Sequence, residues 1–317
     1  MSAMHKFIEG LPKAELHLHL EGSMEPETLV ELDPSLSIED ARRMYRYPNF
    51  AGFLARFVWA VRKLTEPQHY ALITRRLLER LHQQNVLYAE ITLSAGVILW
   101  RKQNLAEVYR AIREEAAKSP VQVYWIFDAI RQFGVEQAQT VADRAVEYEN
   151  DGVVAYGIGG DEEKGPANWF HDVFAFTKRN GLRAVPHAGE TVGPKSVWDA
   201  LNLGADRIGH GITSVRDEAL MRHLRDANIP LEICISSNVC TGVVPSLQDH
   251  PVRRLYDAGV PLILNTDDPP MFQTTLNGEY EIAVREFGFS ENELRGLATN
   301  SFRYAFRYQP YPIESNP

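Results

Sequence analysis

Eight short apolar segments typical of buried strands recur along the chain, and longer stretches with helical periodicity separate them. Helical spacing places apolar side chains on one face of residues 70–82 and of residues 214–226. Near the C-terminus, the capping-box spacing of Ser290 and Glu293 predicts the start of a last helix. Eight strand–helix repeats within 317 residues predict an α/β chain folded as a closed (β/α)8 barrel, the TIM-barrel architecture. A doubly wound open sheet is the alternative, although no glycine-rich phosphate-binding sequence follows the first strand. The predicted strands span residues 14–20, 86–93, 122–129, 153–159, 183–189, 206–211, 230–236 and 261–267.

The composition of the chain indicates which classes of binding partner and which cellular compartment to expect. A formal net charge of −9 disfavours nucleic acid as a partner, because phosphate binding requires a basic surface. No apolar run approaches the roughly 20 residues of a membrane span, and the first residues lack the apolar core of a signal peptide. Only two cysteines occur, which suits a reducing compartment. We expect one barrel domain over residues 1–317 in the cytoplasm, with a small-molecule ligand and an irregular tail over residues 308–317. The sequence does not indicate an oligomeric state.

An unusually long connection, residues 24–69, follows the first predicted strand. Within it, residues 50–64 carry apolar side chains along one helical face, including Phe53 and Phe57. One interpretation is a helix packed on the top of the barrel. The other is a lid over the mouth of an active site, where an apolar wall excludes water from the reaction. The two interpretations are compatible.

Metal-binding and acid–base residues stand at the ends of four predicted strands. Alternation along the first strand puts His17 and His19 on one face, which points into a barrel. A pair of inward histidines favours a role in metal binding over that of ordinary core residues. Because barrel active sites form where the strands end, the sequence predicts a metal-dependent hydrolase site at this position. The other residues of the predicted site are His187, Glu190, His210, Asp267 and Asp268.

Six short motifs occur along the chain in the order ELHLHLEG, GGDE, HAGE, IGHG, SSN and NTDDP. With them the chain resembles, nearly from end to end, the adenosine deaminase family of the amidohydrolase superfamily. Relatives in that superfamily with two metals use a carboxylated lysine at the end of the fourth strand, whereas Lys164 lies beyond that strand here. The resemblance therefore implies one divalent metal ion, most often zinc, held by His17, His19, His187 and Asp267.

The resemblance also implies roles in hydrolytic deamination at C6 of a 6-aminopurine. Glu190 corresponds to the residue that protonates N1 as an activated water attacks C6, and this role requires a raised carboxyl pKa. His210 corresponds to the residue that orients the water and helps to deprotonate it. Asp268 corresponds to a carboxylate that bonds the water and contacts N7, and Gly160 to a backbone contact at N3. A non-catalytic purine-binding barrel is disfavoured, because neither a metal ligand nor the proton-donating glutamate is missing.

The choice of aminopurine depends on residues outside these motifs. Adenosine and a 5′-modified adenosine such as aminodeoxyfutalosine are the leading candidates, and adenine is the alternative. Glu21 stands where many adenosine deaminases carry an Asp that binds the ribose 5′-hydroxyl, and Asp161 and Glu162 are candidates for the same contact. Arg101 and Lys102, in residues 94–104, are expected to pair with a carboxylate such as that of the carboxyphenyl group of aminodeoxyfutalosine. The alternative for these two residues is a helix start with solvated charges.

Overall fold

Eight parallel strands lie at the centre of the computed structural model, which describes residues 3–310. Each strand pairs with the next one along the chain, so the strand order in the sheet is the sequence order. The first and fourth strands are buried along their whole length, as expected for parallel strands covered on both faces. Residues 235–236, at the end of the predicted seventh strand, lie in a helix, and the last three strands are shorter than predicted. All eight predicted strands are present. They are β1 (Lys13–His19), β2 (Val86–Leu93), β3 (Gln122–Ile130), β4 (Val153–Gly159), β5 (Arg183–Ala188), β6 (Ile208–His210), β7 (Leu231–Ile233) and β8 (Leu262–Leu264).

Backbone hydrogen bonds around Asp267 close the sheet into a barrel. Leu18 of β1 forms a parallel bridge with Asp267, which follows β8. The N–H of His19 donates to the carbonyl of Asp267 at 2.9 Å, and the N–H of Asp267 donates to the carbonyl of His17 at 3.0 Å. Closure with sequential strand order confirms the predicted (β/α)8 barrel. It excludes the doubly wound sheet, in which the strand order reverses.

Helices occupy every connection between consecutive strands, and within residues 3–310 none combines the length and apolar character needed to cross a bilayer. The α-helices are α1 (Ala3–Gly10), α2 (Pro26–Leu32), α3 (Ile38–Met44), α4 (Phe50–Val61), α5 (Pro67–Gln83), α6 (Ala95–Trp100), α7 (Leu105–Ala116), α8 (Val135–Glu147), α9 (His171–Arg179), α10 (Pro194–Asn202), α11 (Glu218–Asp226), α12 (Ile235–Cys240), α13 (Val252–Asp257), α14 (Leu276–Phe287) and α15 (Glu291–Arg303). Short 3-10 helices span Glu21–Ser23, Arg131–Phe133, Glu149–Asp151, Ala167–Phe170, Ile212–Arg216 and Leu247–Asp249.

The predicted helices are confirmed except at one boundary. Residues 70–82 lie within α5, and the side chains of Ser290 and Glu293 form the predicted capping box at the start of α15. The continuous helix predicted over residues 214–226 is wrong in its first turn. The carboxylate of Asp217 accepts the N–H groups at the start of α11, and this cap separates α11 from the preceding 3-10 helix. Of the tail predicted to be irregular, residues 311–317 lie outside the described residues.

A buried charge network crosses the interior of the barrel. The guanidinium of Arg207, next to β6, donates to Glu90 of β2 and to Glu232 of β7, each at 2.5 Å. All three side chains are at most 1% exposed. The ring of Phe306 lies 3.8 Å from the guanidinium carbon. Two buried carboxylates from different parts of the sheet thus share one buried cation, and this pairing lowers the cost of burying them.

Removing the cation of this network is expected to destabilise the barrel. Arg207→Met leaves Glu90 buried without a countercharge and leaves Glu232 with only the imidazole of His17, so the free energy of unfolding should fall by about 3–5 kcal/mol. Urea denaturation followed by circular dichroism measures the change. The control is Arg42→Met, which removes an exposed ion pair with Glu27 and should cost less than about 1 kcal/mol. Equal losses in the two variants would contradict this view of the network.

Candidate active site

Imidazole and carboxylate side chains from four strand ends meet at one end of the barrel. His17 and His19 lie in β1, His187 lies in β5, His210 ends β6 and Asp267 follows β8. The ring centroid of His17 lies 4.6 to 5.5 Å from the centroids of the other three imidazoles. His17 and His19 therefore point to the same side of the first strand, as the period-two alternation predicts. They share one site with residues that are far apart in the sequence.

Four potential ligand atoms face one another in this cluster. The Nε2 atom of His19 lies 3.3 Å from Nε2 of His187 and 3.3 Å from Oδ1 of Asp267. The Nε2 atom of His17 lies 3.7 Å from the same Oδ1. This Nε2 atom is buried, and no hydrogen-bond partner for it occurs within residues 3–310. Burying a polar atom without a partner is unfavourable, and a shared cation would remove that cost. The donor set fits one metal ion.

Buried partners orient two of these ligands. The ring N–H at Nδ1 of His17 donates to Oε2 of Glu232 at 2.7 Å, so its Nε2 lone pair points into the site. The hydroxyl of Ser237 donates to Oδ2 of Asp267 at 2.7 Å, which leaves Oδ1 for a metal. Sequence reasoning missed both partners. A signal existed for Glu232, because it is a charged residue inside the apolar seventh strand.

Burial keeps most imidazoles of the site neutral. It lowers the pKa of His19 to about 4 and that of His210 to about 3, and it takes the pKa of His187 well below the usual value. His17 differs, since the nearby carboxylates of Asp267 and Glu232 outweigh burial and raise its pKa to about 10. The same negative charge that holds a proton on His17 also favours a metal cation in its place.

Two carboxyl groups beside the cluster have raised pKa values. Burial raises the pKa of Glu190 well above its usual value, and the charges of Asp267 and Glu162 add to this. Burial and the adjacent carboxylate of Asp267 likewise raise the pKa of Asp268. The carboxylate of Glu190 lies 3.8 Å from Nε2 of His210. The site thus contains carboxyl groups able to hold a proton near neutral pH, next to a potential metal site.

The backbone is unusual at several positions of the site. His210 and Asp267 have positive φ angles of 62° and 65°, a conformation that is uncommon for residues other than glycine. Gly22 allows a close approach, because a Cβ atom there would lie 1.5 Å from Oδ1 of Asp268. Such strained or tightly packed positions cluster at functional sites, where the surrounding structure imposes them.

The carboxylate of Glu162 holds the turn that carries Glu190. Glu162, in the GGDE motif, accepts the N–H groups of Gly189, Glu190 and Thr191 at 2.8 to 2.9 Å. It also accepts the hydroxyl of Ser196. The sequence indicated Glu162 only as a candidate for contact with the ribose 5′-hydroxyl, and did not indicate its hydrogen bonds to this turn. The side chain is 3% exposed, so these hydrogen bonds fix the position of the turn without competition from water.

A cavity of about 200 Å³ opens beside the ligand cluster. Side chains of α4, including Phe53 and Phe57, form an apolar wall of this cavity. The helix predicted within residues 50–64 is thereby confirmed. Gly160 also lines the cavity, with φ of +92° and no room for a Cβ atom beside Gln132. The lining residues are His19, Phe50, Phe53, Leu54, Phe57, Val58, Ser94, Val97, Asp128, Ile130, Gln132, Phe133, Gly159, Gly160, His187, Glu190, His210, Asp267 and Asp268.

Three residues predicted to bind substrate do not line this cavity. Glu21 is buried and accepts the N–H of Ser94 at 3.0 Å. Asp161 pairs with Lys164 at 2.8 Å. The guanidinium of Arg101 donates to three backbone carbonyls at the C-terminal end of α4, those of Val61, Arg62 and Leu64.

The position of Arg101 corrects the expectation that it pairs with an anionic substituent. Unpaired carbonyls at the end of a helix attract cationic side chains, and Arg101 lies within reach of those of α4. It therefore fastens the helix that forms the apolar wall of the cavity. Lys102 is also absent from the cavity lining, so neither predicted cation faces the cavity.

Asp128 is a cavity residue that sequence reasoning missed. It lies near the end of β3, is 2% exposed, and its Oδ1 atom has no hydrogen-bond partner within the described residues. Burial raises its pKa to about 8. The sequence could have indicated Asp128 as a site residue, because it lies near a strand end and on the same inward face as Ile126.

Comparisons with known proteins agree with this geometry. A sequence profile described as adenosine deaminase matches residues 12–311. An aminodeoxyfutalosine deaminase from Streptomyces avermitilis is 39% identical, over 96% of this chain and 88% of the relative. One from Streptomyces coelicolor is 36% identical, over 97% of this chain and 83% of the relative. The crystal structure of an adenine deaminase from Arthrobacter aurescens matches with a TM-score of 0.89 and 28% identity, over 94% of this chain and 95% of that one.

The role of Glu162 leads to a stability prediction. Glu162→Ala leaves three N–H groups, two of them buried, without their acceptor, so the free energy of unfolding should fall by about 3 kcal/mol. Thermal or urea unfolding measures the loss. Glu163→Ala is the matched control, because Glu163 is the exposed neighbour and its removal should be nearly neutral. If Glu162→Ala were as stable as the control, the turn would not depend on this carboxylate.

Proposed function

This chain belongs to the adenosine deaminase family, and we propose that it hydrolyses the C6 amino group of a 6-aminopurine nucleoside, releasing ammonia and leaving the 6-oxo purine. The observation that carries the proposal is the convergence of His17, His19, His187 and Asp267 beside a protonatable Glu190. Attack by a metal-activated water needs the four ligand residues. The purine ring must accept electron density at N1 during this attack, and for that it needs a proton donor such as Glu190.

A single zinc ion is the proposed cofactor. In a tetrahedral zinc site with Zn–N bonds of about 2.0–2.1 Å, ligand atoms lie roughly 3.3–3.4 Å apart. The distances from Nε2 of His19 to its neighbours on His187 and Asp267 are both 3.3 Å. When bound, a zinc ion lowers the pKa of water at the site toward neutrality. The proposed ligands are His17, His19, His187 and Asp267.

The remaining residues of the site act on protons and on the purine ring. Glu190 donates the proton of its carboxyl group to N1 as water attacks C6, which its raised pKa supports. Asp268 bonds the attacking water and N7. His210 orients the water, and the backbone of Gly160 contacts N3. Exclusion of solvent by the apolar side chains of α4 strengthens each of these interactions, and a lid function for this helix stays a prediction.

We propose a 5′-modified adenosine such as aminodeoxyfutalosine as the substrate. The two relatives of 39% and 36% identity carry that activity in their names, and the aromatic wall of α4 suits an aryl substituent. Asp128 offers an unpaired carboxyl oxygen for a sugar hydroxyl. Adenine is the second candidate, because the adenine deaminase of Arthrobacter aurescens shares the fold closely. The single-domain organisation and the cytoplasmic location stay predictions.

A substrate panel tests the proposal. The value of kcat/KM is measured for aminodeoxyfutalosine, adenosine and adenine with zinc-loaded protein, by loss of ultraviolet absorbance and by ammonia release. The expected order places aminodeoxyfutalosine first. Adenine in first place would contradict the proposed substrate, and no deamination of any of the three would contradict the proposed function.

Glu190→Gln tests the assigned proton donor. The amide keeps the shape of the side chain but cannot supply an acidic proton, so kcat should fall by about 10² to 10⁴-fold. Zinc content, measured by mass spectrometry on the same sample, should be unchanged. Glu163→Gln is the control for loss of one acidic group elsewhere. Loss of zinc in Glu190→Gln, or turnover near that of the control, would contradict the assignment.

Phe57→Ala tests the aromatic wall. Removing the ring should lower kcat/KM for aminodeoxyfutalosine by about 10-fold or more, with a smaller effect on adenine, which lacks a 5′ substituent. The matched control is Trp59→Ala, because Trp59 lies in the same helix outside the cavity lining and packs beside Lys63. Equal losses for both substrates would show that the wall does not contact the substituent.

A further inference from the structure

We infer that a buried hydrogen-bonded chain through Asn238 and His250 fixes the proton of His210 on Nε2, which makes Asn238 and His250 positioning residues for the reaction. The inference deepens the proposed function and rests on it. His210 ends β6, Asn238 lies in α12 and His250 precedes α13. The three side chains are 1%, 0% and 4% exposed, so water does not compete for their hydrogen bonds.

The backbone at the start of α13 sets the direction of this chain. The N–H of Val252, the first residue of α13, donates to Nδ1 of His250 at 3.2 Å. The first N–H groups of a helix have no partner within it and need an acceptor. A backbone N–H can only donate, so Nδ1 of His250 is an acceptor without a proton. A neutral imidazole carries one N–H, and that of His250 is therefore at Nε2.

The proton on Nε2 of His250 determines which atoms donate and which accept in the next two hydrogen bonds. Nε2–H of His250 donates to Oδ1 of Asn238, 3.1 Å away. This fixes the orientation of the amide, so its NH₂ group faces Nδ1 of His210 at 3.2 Å and donates to it. Nδ1 of His210 is thus an acceptor, and the proton of its neutral ring lies on Nε2.

The fixed tautomer determines what His210 does in the site. Its Nε2 atom lies 3.8 Å from a carboxylate oxygen of Glu190 and 3.9 Å from Oδ2 of Asp267, and so faces the place where water reacts. An Nε2 atom that already carries a proton donates a hydrogen bond to the water oxygen and cannot accept a proton from it. His210 therefore orients the water oxygen by donating a hydrogen bond and does not serve as the base that deprotonates it.

Nitrogen NMR of zinc-loaded protein labelled with ¹⁵N-histidine tests the tautomer directly. The chemical shifts of ring nitrogens distinguish a nitrogen that carries a proton from one that does not. His210 and His250 are assigned from the signals lost in His210→Gln and His250→Phe. We expect a protonated Nε2 and an unprotonated Nδ1 in both residues. A protonated Nδ1 in either one overturns the inference. This result does not depend on deaminase activity, so a failure of the proposed function would be seen separately, in the substrate panel.

Asn238→Asp tests whether the tautomer matters for turnover. The carboxylate has the shape of the amide but accepts where the amide donates, so the proton of His210 should move to Nδ1. We expect kcat to fall about 10- to 100-fold with little change in KM. Thr241→Val is the matched control. It removes a buried hydroxyl that bonds only the backbone carbonyls of Ser237 and Asn238 and none of the three side chains, and should keep both the tautomer and kcat. A switch of tautomer without loss of kcat, or loss of kcat without a switch, overturns the role of Asn238.

Discussion

The closure of the barrel between β8 and β1 is the constraint on which the site depends. Reciprocal backbone hydrogen bonds join Asp267 to His17 and His19. These bonds set the two histidines and the carboxylate side by side before any ligand is bound. Asp267 adopts a positive φ angle to make this contact, and the closed ladder supplies the free energy that holds an uncommon conformation. The ligand set is thus a consequence of how the sheet closes.

Buried hydrogen-bond partners orient the side chains that the closure of the barrel brings together. Glu232 orients His17, Ser237 orients Asp267, and Asn238 contacts His210. Glu232 is itself neutralised by Arg207. Each buried polar atom is costly unless it is paired, so these contacts restrict every site residue to one orientation. A site of this kind needs little reorganisation when the substrate binds, and preorganised groups of this type contribute most to catalysis.

The sequence was sufficient to predict the barrel, its eight strands and the residues that meet at its end. Strand periodicity and the rule that barrel sites lie at strand ends are local patterns, and His17, His19 and His187 follow them. The contacts of long side chains were not predictable in the same way. Arg101 has carbonyls of α4 within reach, and whether it bonds them or a substrate depends on packing between segments about 40 residues apart. Glu162 and Glu232 act through partners whose positions only the folded chain defines.

We propose that three imidazoles and one carboxylate hold a single zinc ion. X-ray absorption of the zinc-loaded protein, combined with metal stoichiometry, tests this ligand set. We expect one zinc per chain with only nitrogen and oxygen ligands at about 2.0–2.2 Å. The thiol of Cys234 lies in a second potential ligand set with His210 and Asp267. A zinc–sulfur distance of about 2.3 Å, or a second zinc ion in the same chain, would rule out a single zinc ion held by these four residues.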